Sequence, residues 1–367
     1  MKKTIFSLFV LFVMLLSSCK KEVGINESAT IAEDATVSTT SLVTGNAEKD
    51  ARKLKVAKAL AKALTKLETR QMIKDEALKK FDGDYDILYA HAKTKKLPNG
   101  KSLEEDLFGT AQDISTVDPT LNIYVTELVG QNAATWNVNT HTPKVVYVPS
   151  DYDDMKTPTV TAYDAQGHTY VFDNFKEPTE ILVVISDNER VDDKGKLIVG
   201  FRPTDGKPVL QTRANYRTDG QPEGVWQVNV PFLSDIESWA NGGPEIECKA
   251  ISPIQGPLNL TWDITGSRSQ FCNTCWKVVN NSVLSQWNWA TYGNYIRYHW
   301  FEDDASSDNF AVTLNFTIGT SNMQYVINRS TNDENMGFSQ VSKDDVVWQD
   351  YLSVGPLSKQ FRWYMKQ

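Results

Sequence analysis

The sequence predicts a mainly β protein with a small α-helical N-terminal unit, an α+β arrangement in which two β-rich, sandwich-like domains follow the helices. Three observations lead there. Apolar residues recur at three- and four-residue steps early in the chain, the period of one helix face. From about residue 120, short β-branched and aromatic runs alternate with turn signals. The chain has 367 residues, 41% apolar and 11% aromatic. That is enough for about two domains and too apolar for a disordered or collagen-like polymer.

The helical unit is placed at 48–115. Leu54, Ala57, Leu60, Ala61, Leu64 and Leu67 form one stripe, with Lys55, Lys58, Lys62 and Lys66 off it. Ile73, Ala77 and Phe81 suggest a second helix, and Ile87, Leu88, His91 and Ala92 a third. Ser102-Leu103-Glu104-Glu105 has the form of a capping box, in which serine and glutamate satisfy each other's backbone N–H groups. The first β-rich domain is placed at 116–240, with strands expected at 121–129, 144–148, 159–163, 169–172, 181–185 and 225–230. Asn241-Gly242-Gly243-Pro244 marks the boundary. The aromatic-rich C-terminal domain, 241–367, takes its strands at 258–264, 276–279, 294–301, 310–318, 323–327 and 360–365.

The first 47 residues read as an address and a tether. Lys2 and Lys3 precede an apolar run over 4–16, shorter than the roughly 20 residues needed to span a bilayer. Ser17, Ser18 and Cys19 follow. Leu16-Ser17-Ser18-Cys19 resembles a bacterial lipobox. The resemblance implies signal cleavage after residue 18, lipidation of Cys19, and anchoring at the outer membrane or cell surface of a Gram-negative bacterium. Residues 19–47, rich in Ser, Thr, Ala, Glu and Asp, read as a flexible tether.

The net charge of −8 argues against a nucleic-acid partner, because phosphate binding needs a basic surface. Residues 48–106 run against that balance, with 15 basic and 11 acidic side chains. Their basic face could meet anionic headgroups near the anchor or could simply be solvated.

Chemistry-bearing groups are few. Cys248, Cys272 and Cys275 are the candidates for one disulfide, either Cys248 with one of the others or Cys272 with Cys275. Asp82-Gly83-Asp84-Tyr85-Asp86 opens like an EF-hand loop. Ile87 stands where the bending glycine belongs and Lys93 where the closing glutamate belongs, so it reads as a helix-capping turn. Glu302, Asp303, Asp304 and Asp308 follow a strand, and Asp344 and Asp345 lie in a later loop. Strand-end carboxylates of this kind supply hard oxygen ligands to calcium, the one cofactor suggested; the alternative is solubilising charge. Trp287 and Trp289 share a face if extended, and could stack on a sugar ring or fill a core. No His-Glu-x-x-His, Gly-x-Ser-x-Gly or Walker-type loop is present. The expectation is a lipid-anchored envelope protein that binds a glycan or protein rather than an enzyme. The alternative is a secreted hydrolase with a dispersed active site, its helical unit serving as propeptide or docking segment.

Overall fold

Two hydrophobic cores organise the chain, one beneath helices and one between sheets. The computed structural model describes residues 42–109, 118–154, 156–198, 216–271, 275–304, 309–318, 320–330, 333–345, 350–352 and 362–366. Strands make up 35% of it against 19% helix, so the mainly β, α+β class read from the sequence holds. Cys19, Cys272 and Asp308 lie outside the described residues.

Helix α1 (Leu42–Ala63) buries Val56, Ala57, Leu60 and Ala61, as their spacing requires, and leaves Lys55, Lys58 and Lys62 exposed. Arg70 on α2 (Leu67–Ala77) donates to the carbonyls of Leu64 at 2.6 Å and Thr65 at 2.9 Å, satisfying groups left over at the end of α1. That break takes Leu67 off the stripe and exposes it. Next come β1 (Asp86–Leu88), α3 (Tyr89–Ala92) and α4 (Leu103–Phe108). The expected capping box opens α4: Ser102 Oγ accepts from the Glu105 N–H at 3.2 Å, and Glu105 Oε2 accepts from the Ser102 N–H at 2.6 Å.

Strands β2 (Leu121–Val125), β3 (Val145–Tyr147), β4 (Thr159–Tyr163), β5 (Thr169–Asp173) and β6 (Val183–Asp187) join β1 in one six-stranded sheet. Its order is β1-β2-β6-β3-β4-β5, and β3 runs parallel to β6. Helix α1 packs on β3 and β6, so Leu60 and Leu64 share a core with Ile123, Val145 and Val184. The helices are thus a layer of the first β region.

The second core gathers β7 (Glu223–Asn229), β8 (Ile246–Ser252), β9 (Gly256–Ile264), β10 (Lys277–Leu284), α5 (Trp289–Tyr292) and β11 (Tyr295–Glu302). The chain continues through β12 (Asn309–Ile318), β13 (Ser321–Ser330), β14 (Glu334–Ser342), β15 (Asp350–Leu352) and β16 (Arg362–Lys366). Two four-stranded sheets result, β10-β7-β16-β15 and β14-β11-β8-β9, with β12–β13 a separate hairpin. Val225 and Val228 of the first pack with Ile246, Tyr298 and Trp300 of the second. Strand β7, grouped by sequence with the earlier β region, belongs here. Strand β11 alternates. Ile296, Tyr298 and Trp300 enter the core, while Arg297 and His299 lie on the other face against Phe316 and Phe338.

The Gly-Gly-Pro segment carries the chain from one core to the other. Trp239 and Ala240 lie in the first, Ile246 in the second. Gly242 takes φ +109°, and a Cβ on Gly243 would sit 2.0 Å from the Gly266 carbonyl oxygen. All described residues belong to one compact unit.

Candidate metal centre

Parallel strands leave a sheet at the same edge. Asp154, beyond β3, and Glu189, just beyond β6, therefore emerge on the same side of the six-stranded sheet. Antiparallel pairing produces a similar convergence in the second body. Strand β11 ends where β8 and β14 begin, and Glu302 is in register with Ile246 on one side and Glu334 on the other. Glu245 immediately precedes β8, and Asp304 follows β11. Glu237 comes from the β7–β8 connection, after a 3₁₀ turn at Leu233–Asp235.

These carboxylates form three overlapping groups: Asp154, Asp304 and Glu334; Glu189, Glu237 and Asp304; Glu237, Glu245 and Glu302. Within each group one oxygen from each residue lies within 4.8 Å of the others. Glu237 and Glu302 are wholly buried, Asp304 is 4% exposed, and Glu189 and Glu334 are half-buried. The surrounding backbone holds some of them in place. Asp154 Oδ2 accepts from the Ser238 N–H at 2.7 Å, and Glu302 Oε1 accepts from the Glu245 N–H at 3.1 Å. Among the described residues, no donor reaches either oxygen of Glu237 or Asp304, nor Oε2 of Glu302 or Glu334.

Burial decides the electrostatics, with Arg268 opposing it at Glu237. It pushes Glu237, Glu302 and Asp304 well above the carboxylate range, and the neighbouring acids push them further. Burial raises Glu334 to about 8. It raises Glu245 to about 7, opposed by the Arg190 guanidinium. An isolated ionised carboxylate away from water costs several kcal/mol, so such a set takes up protons or a cation. The donors are all oxygens, without imidazole or thiolate, which suits a hard cation. Calcium accepts six to eight oxygens at about 2.3–2.6 Å in flexible geometry, and the spans within each group fit it.

The acids read from sequence are divided by the strand's own period. Glu302 and Asp304 enter the centre. Asp303 lies beside the Arg329–Glu247 pair, where burial raises its carboxyl, Glu247 adds to the rise, and Arg329 opposes it. Asp344 and Asp345 stand past the far end of β14, where Tyr295 pairs with Ser342, on the order of 25 Å of strand away from Glu302. Asp345 Oδ2 accepts from the Ser342 N–H at 2.8 Å, and exposed Asp344 pairs with Lys343 at 2.7 Å. They cannot share an ion with Glu302, and Asp308 lies outside the described residues. Sequence reasoning missed Asp154, Glu237, Glu245 and Glu334 as ligands; Glu189 stands in an acidic loop with Asp187, Asp192 and Asp193, a weaker form of the same strand-end signal. The four missed acids are scattered, Asp154 beyond β3, Glu237 and Glu245 in the β7–β8 connection and Glu334 at the start of β14, and no local pattern marks them.

Other candidates move further. Trp287 is wholly buried core, its indole N–H donated to the Gly293 carbonyl at 3.0 Å, so it presents no face for a sugar. Trp289 opens α5 rather than extending a strand, and the Lys343 ammonium lies 4.9 Å from its ring centre. Cys248 is a buried free thiol on β8, which removes it from the disulfide. The Asp82–Asp86 segment is not a helix cap. All three aspartates are buried ahead of and in β1. Asn188 donates to Asp82 at 2.8 Å, the Gly243 N–H to Asp84 at 2.9 Å, and Asn122 to Asp86. Arg190 reaches Glu245 and the Gly243 carbonyl beside them. His299 accepts from Arg297 Nε at 2.7 Å, and burial holds its imidazole well below the usual range. His168 pairs with Asp164 at 3.0 Å in an exposed turn whose third partner is the Tyr170 hydroxyl. No family model matches this chain, and no curated protein or solved structure matches it either, so the chemistry of the centre is argued from its own residues.

Proposed function

We propose that this chain is an exported lipoprotein, anchored through Cys19 at the outer membrane or cell surface of a Gram-negative bacterium, and that it acts there as a binding or interaction module whose β-rich body is set by calcium. The observation that carries the calcium part is the pair of donor-free, buried side chains Glu237 and Asp304, placed among five further carboxylates. A cation there would tie the edge of the six-stranded sheet to the end of the β8–β11–β14 sheet. Binding modules use such ties to hold loops in one shape. The partner is a glycan or a protein, and the Cys272–Cys275 pair is the disulfide still open to an oxidising compartment.

Two measurements test this. Thermal unfolding of the EDTA-stripped full chain should shift upward on adding millimolar calcium; an unchanged midpoint removes the calcium part. Replacement of Cys19 (Cys19→Ala) should release the protein from the membrane fraction; unchanged fractionation removes the anchor.

A further inference from the structure

We infer that the centre holds two calcium ions side by side, one bound by Asp154, Asp304 and Glu334, the other by Glu189, Glu237 and Asp304, with the Asp304 carboxylate bridging them. This rests on the calcium reading and goes beyond it in number and arrangement.

Distance comes first. Two oxygens bound to one calcium at 2.3–2.6 Å can be no more than about 5 Å apart. Each of the two triads meets that limit internally, with one oxygen from each of its residues within 4.8 Å of the others. Asp154 and Glu334 share no such group with Glu189 and Glu237, so one ion cannot gather all five residues. Asp304 is the member common to both triads. Its two oxygens are both buried and, among the described residues, both without a donor, so each can face a different ion.

Charge points the same way. Five carboxylates around one dication leave three negative charges in a water-poor site, whereas two dications leave one. The third triad does not need an ion of its own. Glu245 is already paired with Arg190, and Glu302 accepts the Glu245 N–H.

The probe is calcium chloride added to the EDTA-stripped full chain in detergent, read by native mass spectrometry and by titration calorimetry. Two ions per chain are expected in the parent. Glu334→Gln and Glu189→Gln, at opposite ends, should each retain one ion, and Asp304→Asn should retain none. A parent stoichiometry of one overturns the pair while leaving the calcium reading intact. A stoichiometry of zero overturns both. Full retention of two ions by Asp304→Asn overturns the bridge. Should Asp304→Asn fail to fold by near-ultraviolet circular dichroism, the two end variants decide: loss of one ion in each supports the pair, and loss of none in either overturns it.

Discussion

Two acidic clusters lie buried in this molecule, and they differ in what accompanies them. Around Asp82, Asp84 and Asp86 the fold supplies donors: Asn122, Asn188, the Gly243 N–H and the Arg190 guanidinium. Around Glu237 and Asp304 it supplies carboxylates and, among the described residues, no donor to either side chain. The two regions are close enough to share a residue pair, since Arg190 of the first binds Glu245 of the second. In the first, burial raises Asp82 and Asp86 against the pull of Arg190. In the second, Arg190 pairs with Glu245, while Asp304 has burial and further acids around it. The side chains are alike in both; what differs is how many of them the fold provides with a donor or a guanidinium.

Removing the built-in cation is the severest way to break this contrast. Arg190→Met leaves Glu245 and the three aspartates buried beside no guanidinium and should cost about 3–5 kcal/mol in chemical denaturation. A loss under about 1 kcal/mol would mean that the backbone and amide donors suffice. Supplying the external cation comes next. At one hundred times its dissociation constant, each bound calcium should stabilise the chain by about 2.7 kcal/mol. The gain should grow with pH. Glu245 and Glu334 titrate in the native state at about 7 and about 8, above the 4.5 of an exposed glutamate. Between those values the native state binds more protons than the unfolded chain, so calcium-free stability falls as pH rises from 4.5 to 8. Unfolding curves at pH 5 and pH 8, with and without EDTA, should show the calcium increment chiefly at pH 8. An increment equal at both would sink the linkage.

Smaller changes sharpen the contrast. Glu237→Gln should stabilise the calcium-free chain at pH 8 by about 1 kcal/mol, because it replaces a buried acid crowded by Asp154 and Glu245 with a neutral amide, and should shrink the calcium response. The conserved volume makes a negative outcome informative: destabilisation without calcium would place a hidden donor beside Glu237. Asp344→Asn sits far from the centre and should move stability by less than about 0.5 kcal/mol, with the calcium shift unchanged.

Much of the fold was legible because it is local. The spacing of Ala57, Leu60, Ala61 and Leu64 could only be one helix face, and Ser102 with Glu105 carried its own cap. Strands rich in Val, Ile and aromatic residues were also readable, such as β4 and β12. Strand β14 was not. Its Glu334-Asn335-Met336-Gly337 start has no β-branched residue, and it is a strand because β11 pairs with it. The centre was legible at Glu302 and Asp304, where acids crowd one strand end, and faintly at Glu189, in the acidic loop after β6. Its remaining members meet because β3 and β6 happen to be parallel and because β11 ends between β8 and β14, relations that no local pattern records. Trp287 was misleading for a related reason: an indole looks the same in sequence whether a core or a ligand covers it.

One feature of the topology has a temporal meaning. Strand β16, residues 362–366, is an interior strand, hydrogen-bonded to β7 on one side and β15 on the other. Its partner in β7 lies far back along the chain, so that sheet cannot close while the segment is still being made. The six-stranded sheet, whose strands all lie before residue 188, has no such dependence. Order of emergence therefore favours a completed N-terminal body waiting beside an open sandwich, with the final strand acting as the latch.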